Sequence, residues 1–371
     1  MTDFALKPRW DIFCKIVDNF GDIGVCWRLA RQLQSEHDLQ VRLWIDDLGV
    51  AQAIISSLDT EKNVQMCGEI SILKWNAETD FSQASDVVIE TFACGLPPAY
   101  LVAMEQQKSK WVNLEYLSAE LWVDNFHGKP SPQVLLNSGN DLVRHFYFPG
   151  FTEATGGLIR EKNILSRYSD FSQKGNGALK ISLFCYPYAP IQPLLTSLAE
   201  SNQAIDCYVS DNSIFYQLAD FFDKDLINVG DTLTKGNLTL HALPFLSQTD
   251  YDQLLNTCDL NFVRGEDSWI RAIWAGKPFI WQPYLQTENT HIKKLKAFID
   301  IFYANYEQKD MLWKAHEYWA AEHVMQAEFN VDWQHYFNAL ESIRAFTQTQ
   351  VNTLVNQTDL ATKLVIFCNK L

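Results

Sequence analysis

No two of the eight cysteines (Cys14, Cys26, Cys67, Cys94, Cys185, Cys207, Cys258 and Cys368) are spaced as CxxC. Most lie inside apolar runs such as "DIFCKIV" and "LFCY", which argues for buried thiols in a reducing compartment and against a disulfide framework or a zinc site. The eight histidines form neither HxxxH nor HExxH, so no transition-metal site is indicated. Positive charge is scarce: 30 Lys and Arg stand against 45 Asp and Glu, a formal net charge of −15. That speaks against broad, non-specific nucleic-acid binding, which needs a basic patch. It leaves room for a basic partner, because opposite fields speed encounter, although on charge alone plain solubility is the stronger reading. No run of about 18 apolar residues could span a bilayer, and the start, "MTDFALKPRWDIF", has no signal-peptide pattern. A cytoplasmic protein with no membrane or nucleic-acid partner is the expectation. GxSxG, GxGxxG and a Walker lysine are missing too, so serine-hydrolase, dinucleotide and P-loop chemistry are not signalled.

What is present is a long folded chain. With 371 residues, 47% of them hydrophobic and 13% aromatic, two domains are expected. The first part alternates strand-like and helix-like segments: "WDIFCKIV", then "IGVCWRLARQLQSE" with Ile23, Cys26, Ala30 and Leu33 on one stripe, then "QVRLWID", "DLGVAQAIISSL", "DVVIETF", "PPAYLVAMEQQ" and "KWVNLEY". Residues 149–178, rich in glycine and polar side chains, interrupt the rhythm, and it restarts at "LKISLFCY" and runs to "NTHIKKLKAFIDIFYAN". From about 310 onward the pattern is helical. The spacing predicts an α/β protein of two Rossmann-like doubly wound domains facing a cleft, with a helical C-terminal tail. The expected division is 1–152, 153–345 and a C-terminal helix over 346–371 that packs back on the first domain.

Two stretches carry candidate chemistry. "DNFGDIG", residues 18–24, joins the first strand to its helix and holds Asp18 and Asp22 beside two glycines. Asp22 precedes the helical stripe and would serve as an N-cap; equally, acids at a strand end of an open sheet are placed to meet a ligand, here a cationic one. The second stretch is "RGEDSWIRAIWAGKPF". Arg264 ends a strand, Asp267 or Ser268 would cap the next helix, free N–H groups there suit a diphosphate, and Glu266 could accept from sugar hydroxyls. A charged tetrapeptide between two apolar segments points to function more than to a capped turn. Tyr186, Phe245 and Gln248, at other strand ends of this domain, could stack on or bond to a planar base. Glu90 and Glu115 end first-domain strands and would either line an acceptor side or cap the next segments. "DYD" at 250–252 is read as helix capping rather than a metal motif, Asp46 and Asp47 as a helix start, and His291 as a helix residue.

The strings "WDIFCKIVDNFGDIGVCWRLARQL", "VNLEYLSAE", "FPGFTEATGGLIRE", "YDQLLNTCDLNFVRGEDSWIRAIWAGKPFIW" and "HIKKLKAF" together resemble the EarP family, the protein-arginine rhamnosyltransferases of bacterial elongation factor P. The resemblance covers most of the chain in order; "WQPYLQTEN" departs from the family's usual "WHIYPQ". It implies an inverting B-type glycosyltransferase that needs no cofactor and no metal. Such an enzyme moves L-rhamnose from dTDP-β-L-rhamnose to an arginine in the N-terminal domain of elongation factor P, activating the factor for ribosomes stalled at polyproline. Carried over by motif, Asp22 is the implied base with Asp18 as second acid, and Tyr186, Gln248, Arg264, Glu266, Asp267 and Ser268 fall at donor-binding positions. Two other readings fit the same architecture: a nucleotide-sugar epimerase, and a non-catalytic protein that docks on a translation factor.

Overall fold

The computed structural model describes residues 7–371 apart from Asn19, Ala77, 132–141, 166–176, Asp211 and 322–330. Its backbone divides into two compact units, Met1–Lys162 with Gln357–Leu371, and Asn163–Asn356.

The first unit contains β1 (Arg9–Cys14), α1 (Phe20–His37), β2 (Gln40–Ile45), α2 (Leu48–Ile54), β3 (Val64–Cys67), β4 (Ile70–Lys74), β5 (Val87–Thr91), α3 (Pro98–Gln107), β6 (Lys110–Leu114), α4 (Val123–Phe126) and β7 (Arg144–Tyr147). Among the described residues its strands form one sheet in the order β3-β4-β2-β1-β5-β6-β7, parallel except for the β3–β4 hairpin. β1 after the half-buried Arg9, and all of β5, are buried and mostly apolar, as strands covered on both faces must be. Strand order reverses between β1 and β5, so the loops that follow these two strands flank the crevice where open α/β sheets bind ligands. "DNFGDIG" follows β1.

The second unit contains β8 (Leu179–Leu183), α5 (Ile191–Ala199), β9 (Ile205–Val209), α6 (Phe215–Phe221), β10 (Thr232–Lys235), β11 (Leu238–Ala242), α7 (Gln248–Thr257), β12 (Leu260–Arg264), α8 (Asp267–Ala275), β13 (Phe279–Gln282), α9 (Thr290–Phe302), α10 (Lys309–Ala320), α11 (Trp333–Asn338) and α12 (Leu340–Val355). Among the described residues its sheet runs β10-β11-β9-β8-β12-β13, with only β10 antiparallel. The reversal lies between β8 and β12. Tyr186 follows β8 and Arg264 ends β12, so the same topological rule selects both.

The divisions fall later than the expected 152 and 345. The segment before Lys162 is tied to α1: Arg28 Nε and Nη2 donate to the Glu161 carboxylate, both at 2.8 Å, and Gln32 Nε2 donates to Arg160 O at 2.8 Å. The tail is two helices rather than one. α12 belongs to the second unit, and after Asn356 the chain returns to the first, where α13 (Leu360–Lys370) is capped by Asp359 and packs on α1. The expected helical pattern over 322–330 lies outside the described residues.

The first sheet's aromatic cluster of Phe13, Trp44, Phe81, Tyr100 and Trp111 lies against the buried carboxylate of Asp11, to which Tyr100 is bonded. Asp11 is fully buried within β1, and Arg42 Nε and Nη2 donate to its two oxygens at 2.6 and 2.5 Å while the Tyr100 hydroxyl also donates. Breaking a buried pair strands its partner. Asp11→Ala should therefore destabilise the protein by about 3 kcal/mol or more, read as a lowered urea midpoint with an unchanged slope.

Candidate functional site

The first candidate site follows β1. Gly21 N donates to Asp18 O at 2.8 Å, closing the turn into α1. A Cβ on Gly21 would lie 2.9 Å from Asp18 Oδ2, so the glycine lets the half-buried Asp18 carboxylate lie against the helix start. Asp22 is not the N-cap that the sequence pattern suggests. α1 begins at Phe20, so Asp22 is its third residue, and its carboxylate reaches back along the chain. Oδ2 accepts from Val17 N at 2.8 Å and Asp18 N at 2.9 Å; Oδ1 accepts from the Tyr116 hydroxyl at 3.2 Å. This is the geometry of an acid in the first helical turn that satisfies N–H groups ahead of the helix. Asp22 is 2% exposed. Burial pushes its pKa above the ordinary carboxylate value; the bonds from Asp18 N, Val17 N and Tyr116 oppose this, and the nearby charge of Asp46 adds to it.

The neighbouring acids divide. Asp47 caps α2 through Gly49 N and Val50 N, as the sequence suggests. Asp46 instead accepts from Ile16 N and Asp47 N, both at 3.0 Å, on the side of Asp22. Glu115 is half-buried and accepts from Asn113 Nδ2 at 2.5 Å. Glu90 is 1% exposed, with Oε1 accepting from Gly95 N and Oε2 from Trp111 Nε1 and Arg144 Nη1. Both of its oxygens serve the framework of β5, β6 and β7. Tyr116, two residues past β6, carries no signal of its own in the sequence; the strand-end rule that selects Asp18 would also have selected it.

The second candidate site surrounds the end of β12. Gly265, at φ +62°, takes the left-handed conformation that turns the chain from β12 toward α8, and Trp281 Nε1 holds its carbonyl at 2.7 Å. Arg264 Nη1 donates to Cys185 O at 2.8 Å, and the guanidinium lies over the rings of Phe184 at 4.3 Å and Tyr186 at 4.8 Å. A guanidinium stacked on two rings is held in one plane with part of its donor edge engaged. Tyr186 is fixed by its own N–H to Gln282 Oε1 at 2.8 Å, by a stack on Tyr188 at 5.6 Å, and by the edge of Tyr284 at 5.8 Å. Tyr284 stands in the divergent "WQPYLQ" loop and is 46% exposed; neither it nor Tyr188 is singled out by the sequence.

α8 starts at Asp267, but neither Asp267 nor Ser268 caps it. Glu266 occupies the N-cap position without a side-chain capping bond. Asp267 is claimed from within the unit: Arg271 Nε donates to Oδ2 at 2.9 Å and Gln248 Nε2 at 3.2 Å. Arg271 Nη1 also donates to the buried Asp252 at 2.7 Å, so this arginine locks α7 to α8. Ser268 Oγ accepts from Arg264 N at 3.0 Å and donates to Arg264 O, stitching the strand end to the helix start. Gln248 begins α7 after the cap Ser247, and Phe245 is 47% exposed just before it. Asp250 lies in that capped first turn, so "DYD" is a helix start; His291 is a buried residue of α9. Arg264, Tyr186 and Ser268 are thus one connected group, and Asp267 with Gln248 is a second, joined to it along the chain at Asp267–Ser268. Among the described residues, no cluster of three or more His, Cys, Asp or Glu side chains could hold a metal ion, and no helix is long and apolar enough to cross a membrane.

A profile of the family described as Elongation-Factor P (EF-P) rhamnosyltransferase EarP matches residues 10–369. The protein-arginine rhamnosyltransferase of Pseudomonas putida is 41% identical over 384 residues, spanning 98% of this chain and 99% of that protein. That of Shewanella oneidensis is 35% identical over 402 residues, spanning all of both chains. Among solved structures, one described as the structural basis for EarP-mediated arginine glycosylation of translation elongation factor EF-P matches with a TM-score of 0.67 at 31% identity, over 98% of this chain and 99% of that one. MurG of Acinetobacter baumannii, at 13% identity and a TM-score of 0.53 over 99% of this chain and 100% of its own, shares the fold.

Proposed function

The chain belongs to the EarP family of elongation factor P rhamnosyltransferases and is a glycosyltransferase of the two-Rossmann B type, and from that premise we propose that it transfers L-rhamnose from dTDP-β-L-rhamnose to an arginine of elongation factor P, with inversion and without a metal ion. The observation that carries the reading is the opposite charge at the two switch points: carboxylates after β1, a stacked guanidinium and a helix start after β12.

The chemistry demands such a division. A guanidinium has a pKa above about 12 and no lone pair suited to attack. A carboxylate cannot deprotonate it at equilibrium. Asp18 can hold the group by charge-assisted hydrogen bonds, and Asp22 can take one proton as the N–C bond forms. The arginine nitrogen attacks the anomeric carbon on the face opposite the diphosphate. The C–O bond breaks, and its electron pair leaves with the nucleoside diphosphate. Arg264 and the N–H groups at the start of α8 offset that growing charge, the role a metal fills elsewhere. Tyr186, Gln248 and Phe245 would hold the base, and Glu266 the sugar hydroxyls. The eight free thiols suit the cytoplasm, where translation factors work.

Incubation of the protein with dTDP-rhamnose and elongation factor P should add one deoxyhexose to the factor, read by intact mass. An unmodified acceptor under conditions where the donor binds would sink the proposal, and isomerised donor in the absence of acceptor would favour an epimerase.

A further inference from the structure

The Asp22 carboxylate is held by three donors from two places in the chain, and one of them is stacked on a strained turn. Val17 N and Asp18 N fix Oδ2; the Tyr116 hydroxyl, arriving after β6, fixes Oδ1. The Tyr116 ring is stacked on Phe92, with centroids 4.1 Å apart and planes within 8°. Phe92 and the next residue, Ala93, have φ of +57° and +52°, a left-handed conformation that two successive non-glycine residues seldom share. This turn is tied to the strand that delivers the tyrosine: Phe92 N donates to Leu114 O at 2.7 Å, and Ala93 N to Asn113 Oδ1 at 3.0 Å. Asn113 in turn donates through Nδ2 to Glu115, the residue before Tyr116. Such strain persists only where the surroundings over-determine it, and here its product is a fixed aromatic platform under one hydroxyl.

We propose that Tyr116 is a positioning residue for the base, and that the strained Phe92–Ala93 turn serves to hold it there. The inference rests on the reading of Asp22 as the base. With Oδ2 engaged by two backbone donors, Oδ1 is the oxygen that meets the arginine, and Tyr116 sets its orientation. It also favours the charged form, against burial and against the charge of Asp46 from the end of β2; the Cys14 thiol at the end of β1 also faces the carboxylate and is held neutral by its own raised pKa.

The test is the pH dependence of kcat/KM for elongation factor P in the wild type, Tyr116→Phe, Phe92→Leu, Asp46→Asn and Asp22→Asn. Tyr116→Phe keeps the stack and loses the hydroxyl. Its acid limb should move to higher pH, with a loss of about three- to tenfold on that limb, a smaller loss at high pH, and unchanged melting temperature and donor affinity. Phe92→Leu keeps the hydroxyl without its platform and should move the limb the same way. Asp46→Asn removes a like charge and should move it to lower pH. An equal loss at every pH in Tyr116→Phe, or no loss, overturns the positioning role while Asp22→Asn remains inactive. Activity in Asp22→Asn overturns the base assignment itself, and this inference with it.

Discussion

Asp22→Asn should reduce transfer by about a thousandfold or more while leaving the fold and donor affinity intact. The substitution is close to isosteric and the surroundings can accept it. The amide oxygen can take the Val17 and Asp18 N–H groups, and the amide nitrogen can donate to the Tyr116 oxygen. Stability should not fall. The folded-state pKa of Asp22 is raised, so the folded protein binds this proton more readily than the unfolded chain does. Ionising Asp22 as pH climbs through the acidic range therefore costs folded-state stability, and at neutral pH Asn removes that cost. Donor affinity should be within about twofold of wild type, because the donor residues proposed above belong to the second unit. Single-turnover transfer, thermal melting and donor titration check the three statements in one set of samples. Loss of donor binding would show that Asp22 is misassigned.

Much of the architecture is legible in the sequence because parallel strands buried on both faces read as continuous apolar runs. "WDIFC", "VVIET" and "LNFVR" lie on β1, β5 and β12, at the centres of the two sheets. The strands that escape notice are at the edges or next to one: β4, "ISILK", lies inside the edge strand β3 and shares its short hairpin. β3 is "VQMC", with Val64 and Met66 exposed, and β10 is "TLTK", with one half-buried and three exposed residues; each pairs antiparallel through a short turn and carries no apolar run. β7, "RHFY", is at the other edge, and α6 is only seven residues long.

The candidate site is legible to a different depth. Polar residues stranded between apolar segments mark Asp18, Asp22 and Arg264 because strand ends at a switch point are where a doubly wound sheet offers its loops. What each acid is bonded to cannot be read along the chain. Asp22 and Asp267 both looked like caps, yet one is a first-turn acid reaching backward and the other is taken by Arg271, one helical turn on. Glu90 looked like a strand-end acid, but its partners Trp111 and Arg144 are brought in by neighbouring strands. Tyr116, Tyr188 and Tyr284 are ordinary aromatic letters until folding sets them against Asp22 and Tyr186.

The complementary prediction concerns the leaving group. Arg264→Ala should lower kcat by about a hundredfold, the usual cost of removing one donor aimed at a developing oxyanion, and should weaken donor binding as well. Cys185 O holds Nη1 of the guanidinium, and its place over Phe184 and Tyr186 orients the charge it would present to a diphosphate. Arg264→Lys should therefore recover little. A lysine can place a charge there, but it has no fork to hold the Cys185 carbonyl and the diphosphate together, and no flat face to lay over the rings. The acid limb of the pH profile should stay where the wild type has it, because Asp22 and every group argued to set its proton affinity belong to the first unit. Acceptor affinity should also hold. Steady-state kinetics with each substrate varied in turn would separate these effects. A loss confined to the acceptor KM would contradict the donor assignment, and full activity in Arg264→Lys would reduce the arginine to a plain positive charge.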